Sequence, residues 1–380
     1  MPNEHTPYTL YGSPHSLYTG KARCYLRNQG IDYVEVSPSH PDFATRILPQ
    51  IGRGIIPVLE TPDGRVIQDT IDIIDFFEGQ GVPYPAYPST PLQHSLAVII
   101  EYYGGQAMLK QAMHYRWSYR EQQEAFLRHA FASSSGAVMA EKIMGRMNSY
   151  LPRLGVNPDS VALIEQSFET LLDLLDAHFA ELPYLLGGRP SIADYGLIGP
   201  MFAHLGRDPV PAGIMKKRAP RVYRWVERMT APGLDLVDYP DCLAEFWPHD
   251  EIPPTLQPVL RHIAADIFPE LTDKLAFLDA WVARRQPAQG EPVTDKPQVR
   301  QVGLVETEYQ GVPVEVGVEP YLLFVLQRAA DLLATLPSAH AEAVMAQLQQ
   351  LGLAAAIPAV SSYRVERSNN IEVWALPTTG

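Results

Sequence analysis

The chain has 380 residues, 46% of them hydrophobic and 19% charged, with a formal net charge of −13. That length fits two or three domains, and the composition is that of a globular protein with a sizeable core. The acidic balance argues against nucleic-acid or anionic-membrane partners, which need a basic face, but allows an anionic small ligand at a helix N-terminus. Cys24 and Cys242 are far apart and fit neither a redox CxxC pair nor a zinc site. The first nine residues show no basic-then-apolar leader, and no apolar run approaches the ~20 residues of a membrane span. Together these features predict a cytoplasmic protein without a metal.

In chain order, Tyr8–Tyr11 reads as a short strand, 12–16 (Gly-Ser-Pro-His-Ser) as a turn-rich loop, and 21–30 as a helix closed by Gly30. Residues 31–36 form the next strand. After a helix-containing connection, 54–60, 61–64 and 65–68 read as strand, turn and strand, and a closing helix begins at Asp69-Thr70. The Pro- and Gly-rich stretch 79–91 marks a domain boundary.

Helical periodicity then dominates. It covers 92 to about 134, 136–154 and 160–182, the last with a broad apolar stripe from Leu163 to Phe179. Ser191 followed three residues later by Asp194 is a capping-box start after a Gly-rich turn, and 220–229 adds a further helix. Beyond about residue 239, 258–285 reads as helical and 286–297 as a linker. Strands over 299–318 meet near Gln310-Gly311, helices cover 321–336 and 339–351, and a hairpin over 362–376 turns at Asn369-Asn370.

The order and spacing of the pieces from Tyr8 to Glu78 resemble the thioredoxin-like N-terminal domain of glutathione transferases, and the capped helix at Ser191 resembles the central helix of their all-helical domain. The resemblance covers roughly residues 8–240. It implies an α/β thioredoxin-like domain over 1–80, a linker over 81–92 and an all-α domain over 93–240, leaving 241–380 as a small α+β extension of unassigned role. It also implies glutathione as co-substrate, a small partly apolar electrophile as its partner, and a two-fold homodimer.

A glutathione site must hold an anionic tripeptide and favour thiolate over thiol. A helix N-terminus with a hydroxyl donor does both. The run from Ser16 to Arg23, with Lys21-Ala22-Arg23 on the first helix, resembles the omega and zeta pattern and places Ser16 at the catalytic position, with Tyr11 or Ser13 as alternatives if the loop is shifted. Read without the resemblance, these serines are turn and N-cap residues. The resemblance further implies a cis Ile56-Pro57 bond with the Ile56 backbone facing the cysteinyl unit, and Asp69 and Thr70 receiving the γ-glutamyl group. Tyr103, His114, Arg116 and Trp117 are candidates for the electrophile pocket, although an aromatic stripe at helical spacing also suits a core. A non-catalytic binding or regulatory protein on the same fold is the rival reading.

Overall fold

The computed structural model describes residues 7–234, 236–359 and 363–376. The leader reading over Met1–Thr6 and the start of the last hairpin at Ser362 therefore lie outside the described residues. The first domain comprises β1 (Tyr8–Tyr11), α1 (Leu17–Asn28), β2 (Tyr33–Val36), a π-helical turn Phe43–Ile47 leading into α2 (Leu48–Ile51), β3 (Val58–Glu60), β4 (Val66–Gln68) and α3 (Thr70–Glu78). The sheet order is β2-β1-β3-β4, with β1 parallel to β2 and antiparallel to β3, and β3 antiparallel to β4. Leu10, Leu59 and Ile67 carry one sheet face into the main core, where Ala22, Leu26, Ile71 and Ile74 of α1 and α3 meet them. Cys24 is fully buried there, and burial pushes its thiol up to about 12, so it stays protonated and inert.

The helical domain contains α4 (Pro91–Tyr102), a π-helical turn Tyr103–Ala107, α5 (Leu109–Ser118), α6 (Arg120–Ser135), α7 (Ala137–Asn148), α8 (Val161–His178), α9 (Ile192–Pro200), α10 (Pro209–Arg218) and α11 (Pro220–Thr230). Pro91, in the stretch read as linker, is already the first helical residue of α4, where its missing N–H costs nothing. The α9 start behaves as its sequence suggests. The buried Asp194 carboxylate accepts from the Ser191 amide at 2.9 Å, the Leu185 amide at 3.0 Å and the Trp225 indole at 3.3 Å.

Helices α4 and α9 cross almost backbone to backbone. A Cβ on Gly196 would stand 2.5 Å from the Glu101 Cα, and one on Gly104 would stand 2.5 Å from the Gly196 carbonyl carbon. Neither neighbour is a side-chain tip that can swing away. Gly196→Ala is therefore expected to lower stability by about 1–3 kcal/mol through overpacking, read from urea unfolding. Gly213→Ala, where an added Cβ meets no atom within 4 Å, should cost far less.

The remainder comprises α12 (Gln257–Ile267), α13 (Glu270–Arg285), β5 (Gly303–Tyr309), β6 (Val312–Val318), α14 (Tyr321–Ala334), α15 (Ser338–Gln350), β7 (Arg364–Ser368) and β8 (Ile371–Ala375). Both hairpins turn where the sequence indicated. Gln310-Gly311 and Asn369-Asn370 all have positive φ, as a two-residue turn matching strand twist requires. This extension is not a lobe apart, because Leu260, Leu326, Val365 and Trp374 share one continuous core with Leu10, Leu96 and Phe168. Helix α14 lies along α4. Among the described residues no helix is long and apolar enough to cross a membrane.

Candidate functional site

The sheet register gathers the candidate residues at one end of the first domain. Tyr11 pairs with Val58, and Val58 pairs with Gln68. The loop after β1, the Ile56-Pro57 step before β3 and the Asp69-Thr70 pair after β4 therefore leave the sheet side by side. Two helix N-termini, those of α1 and α3, face this end, and each offers unpaired amides and a positive dipole end.

Ser16 is the N-cap of α1. Its Oγ accepts the Thr19 amide at 3.3 Å, and its side chain is half-buried. Accepting that bond leaves the hydroxyl proton for another acceptor. Ser13 is buried, and its Oγ lies 3.0 Å from His15 Nδ1. Tyr11 points to the other sheet face, packs on Phe43 and donates to Glu60 at 3.1 Å. Burial, then the Glu60 carboxylate, raise the Tyr11 phenol above its ordinary value, and its proton is already given to Glu60. Of the three hydroxyls, Ser16 is the one at a helix start without a committed acceptor among the described residues.

The loop is held by two arginines. Arg23 on α1 donates to the Ser13 carbonyl at 3.2 Å while forming a two-pronged pair with Glu35 at 2.6 and 2.7 Å. Arg116 on α5 donates to the His15 carbonyl at 3.3 Å. Lys21 forms a buried ion pair with Glu101 that ties α1 to α4. The Lys21-Ala22-Arg23 pattern thus braces the loop and the domain junction.

His15 packs against Phe131 with ring centroids 4.1 Å apart and the planes tilted by 46°. Burial, then the Arg116 charge, push its imidazole down to about 3. A histidine depressed from its ordinary value of about 6.5 contributes stability that is full above that value and is lost as pH falls through the folded value. The stability gap between the native chain and His15→Asn is expected to narrow as pH falls from about 6.5 to about 3. Urea unfolding across that range measures it, and a constant gap would contradict a neutral His15.

At the far side, the Ile56-Pro57 bond is cis, as expected. Among the described residues no hydrogen bond engages the Ile56 main-chain groups, so they are free to pair with an extended peptide. Asp69 is the N-cap of α3 with φ 103° and ψ 143°, and its Oδ1 accepts the Ile71 amide at 2.9 Å. Thr70 opens the helix and is 3% exposed. A peptide backbone, an ammonium group and a carboxylate can each be met here by main-chain groups, the Asp69 carboxylate and the start of α3.

The structure buries all four expected electrophile-pocket residues, and Arg116 touches the loop after β1 through the His15 carbonyl. His114 is fully buried between Ser118 at 2.9 Å and Glu165 at 2.8 Å. Arg116 is paired with Asp208, and Tyr103 donates to Asp266 at 3.0 Å. Trp117 packs with Phe131 and Leu127 in a satellite core. Sequence reasoning missed Tyr321 of α14, whose hydroxyl donates to the Asp69 carboxylate with the oxygens at 2.9 and 3.0 Å. The two residues are 252 positions apart, and no local signal joins them.

Residues 10–83 match the model of the glutathione S-transferase N-terminal domain, and residues 158–228 that of the C-terminal domain. No curated protein matches the chain. Among solved structures, a glutathione S-transferase from Xanthobacter autotrophicus Py2 is 21% identical over 62% of this chain and 98% of its own, with a TM-score of 0.36. FzlA from C. crescentus is 15% identical over 67% and 92%, with a TM-score of 0.39. A glutathione S-transferase from Methylobacterium radiotolerans JCM 2831, in complex with glutathione sulfonate, is 17% identical over 60% and 97%, with a TM-score of 0.36. With both domain models matched in order, residues 10–83 and 158–228 are the N- and C-terminal domains of the glutathione transferase superfamily.

Proposed function

We propose that the chain is a glutathione transferase that promotes attack of the glutathione thiolate on a small, partly apolar electrophile in the cytoplasm. One observation carries the reading: the Tyr11–Val58–Gln68 register sets Ser16, Ile56 and the Asp69-Thr70 pair around one sheet end. Ser16 donates to the sulfur, and the α1 dipole favours its negative charge. Ile56 pairs with the cysteinyl backbone, Asp69 meets the γ-glutamyl ammonium, and Thr70 with the α3 amides meets its carboxylate. Nothing in this chemistry calls for a metal.

The test is glutathione-dependent turnover of a broad-specificity electrophile by the full chain, together with glutathione affinity by calorimetry. Micromolar to millimolar binding with turnover agrees with the proposal. Absence of both removes it in favour of the non-catalytic binding or regulatory reading. A two-fold homodimer must use faces other than the edge of β4, which residues of the last hairpin cover. A dimeric mass at micromolar concentration is the expected result for that assembly.

A further inference from the structure

Asp69 is a non-glycine residue at φ 103° and ψ 143°, a sparsely populated region that persists only where surrounding structure over-determines it. Local bonds supply part of the restraint. The Ile71 amide donates to Oδ1, and the Asp69 carbonyl accepts the Ile73 amide at 3.0 Å. The rest comes from the extension, about 250–300 residues along the chain. Tyr321 donates to the carboxylate. Immediately before Asp69, both main-chain groups of Gln68 are clamped by the last hairpin. Its amide donates to Asn370 Oδ1 at 3.0 Å, and its carbonyl accepts Arg367 Nη2 at 2.6 Å. Arg53, just ahead of Ile56, is anchored on the hairpin's Glu372 at 2.6 and 2.9 Å and donates to Gln68 Oε1 at 2.9 Å.

We infer that the C-terminal extension is the positioning element for the γ-glutamyl end of the glutathione site, with Tyr321 setting the Asp69 carboxylate and the Asn370–Arg367 clamp fixing the backbone ahead of it. The inference rests on the glutathione reading above. The Asp69 carboxylate stands on a single methylene, so its reach is short and its orientation matters more. A phenol bonded to the carboxylate fixes the side-chain torsion without adding charge, and both oxygens keep acceptor capacity for an ammonium. Tyr321 is itself fixed: its ring lies against Phe324, and the Arg300 guanidinium stands 4.9 Å from the ring centroid. The extension therefore recognises the ligand through Asp69 and not by direct chemistry. Through Tyr321 it acts on the γ-glutamyl unit, the part of the tripeptide assigned to Asp69.

That selectivity gives the experiment. Glutathione and cysteinylglycine, which lacks the γ-glutamyl unit, are titrated by calorimetry against the full chain, Tyr321→Phe, and Arg364→Ala, which removes an exposed ion pair with Asp331 elsewhere in the same extension. Tyr321→Phe is expected to weaken glutathione binding about tenfold and leave cysteinylglycine within twofold. With turnover measured in parallel, the glutathione KM should rise while kcat holds, and Arg364→Ala should match the native chain throughout. Equal losses for both thiols would make Tyr321 a general stabiliser and overturn the inference, as would no change. Tighter glutathione binding would show that the phenol competes with the ligand's ammonium, and also overturns it. If the native chain binds cysteinylglycine and glutathione equally, Asp69 reads no γ-glutamyl group and the inference fails while thiol binding stands. If it binds neither, the glutathione reading itself falls and takes this one with it.

Discussion

Turnover by Ser16→Ala is expected to fall about ten- to a hundredfold at saturating glutathione, with little change in glutathione affinity. The hydroxyl would donate to a charged sulfur, and a hydrogen bond to a charged group contributes roughly 1.5–3 kcal/mol, which is about that loss of rate. Affinity should hold because Ile56, Asp69 and Thr70 would grip parts of the tripeptide remote from the sulfur. The Thr19 amide loses its acceptor in the same variant, so stability should drop by about 1 kcal/mol and is measured alongside. Asp69→Ala should show the opposite balance, raising the glutathione requirement more than it lowers the maximal rate. Tyr11→Phe should keep turnover, since the Tyr11 hydroxyl is spent on Glu60 on the other face of the sheet. Steady-state kinetics with glutathione varied for each variant separates these cases. Full turnover in Ser16→Ala beside a dead Tyr11→Phe would move the thiolate donor to Tyr11.

The parts legible in sequence were those whose cause is local. The last two hairpins could be placed because Gln310-Gly311 and Asn369-Asn370 tolerate the positive φ that their turns need. The start of α9 could be placed because Ser191 and Asp194 are one turn apart. The helix α10 at Pro209–Arg218 was not foreseen, because two of its first three residues are prolines and its apolar positions form no clear stripe. The polar residues of α5 misled for a different reason. His114 and Arg116 suit a substrate carboxylate on paper, but their carboxylates come from Glu165 and Asp208, 51 and 92 positions later. Tyr321 on Asp69 was hidden by the same kind of distance. Pairing between remote charged or polar groups leaves no periodicity to read, so a sequence reveals the groups without revealing whether they are already satisfied.

The Arg116–Asp208 pair makes that distinction measurable, because a satisfied buried charge and a ligand-seeking one respond oppositely to loss of the partner. Arg116 Nε donates to Asp208 Oδ2 at 2.6 Å and Nη2 to Oδ1 at 2.8 Å, and the side chains are 3% and 0% exposed. The remaining prongs meet the carbonyls of Ala203 at 2.5 Å and His15 at 3.3 Å. Asp208→Ala would leave the guanidinium buried without a counter-charge, since arginine cannot shed its proton. The expected cost is about 3–5 kcal/mol, the range for breaking one side of a buried ion pair. Asp208→Asn, which keeps the shape and one acceptor oxygen, should cost less. Replacing both partners with apolar residues, Arg116→Met with Asp208→Leu, should recover much of the loss, because the desolvation of both charges is then no longer required. Urea unfolding of the native chain, Arg116→Met, Asp208→Leu and the double variant gives the coupling as a double-mutant cycle. A cost below about 1 kcal/mol for Asp208→Ala would mean that Arg116 can reach water or another anion, and would return it to the candidates for binding an acidic substrate.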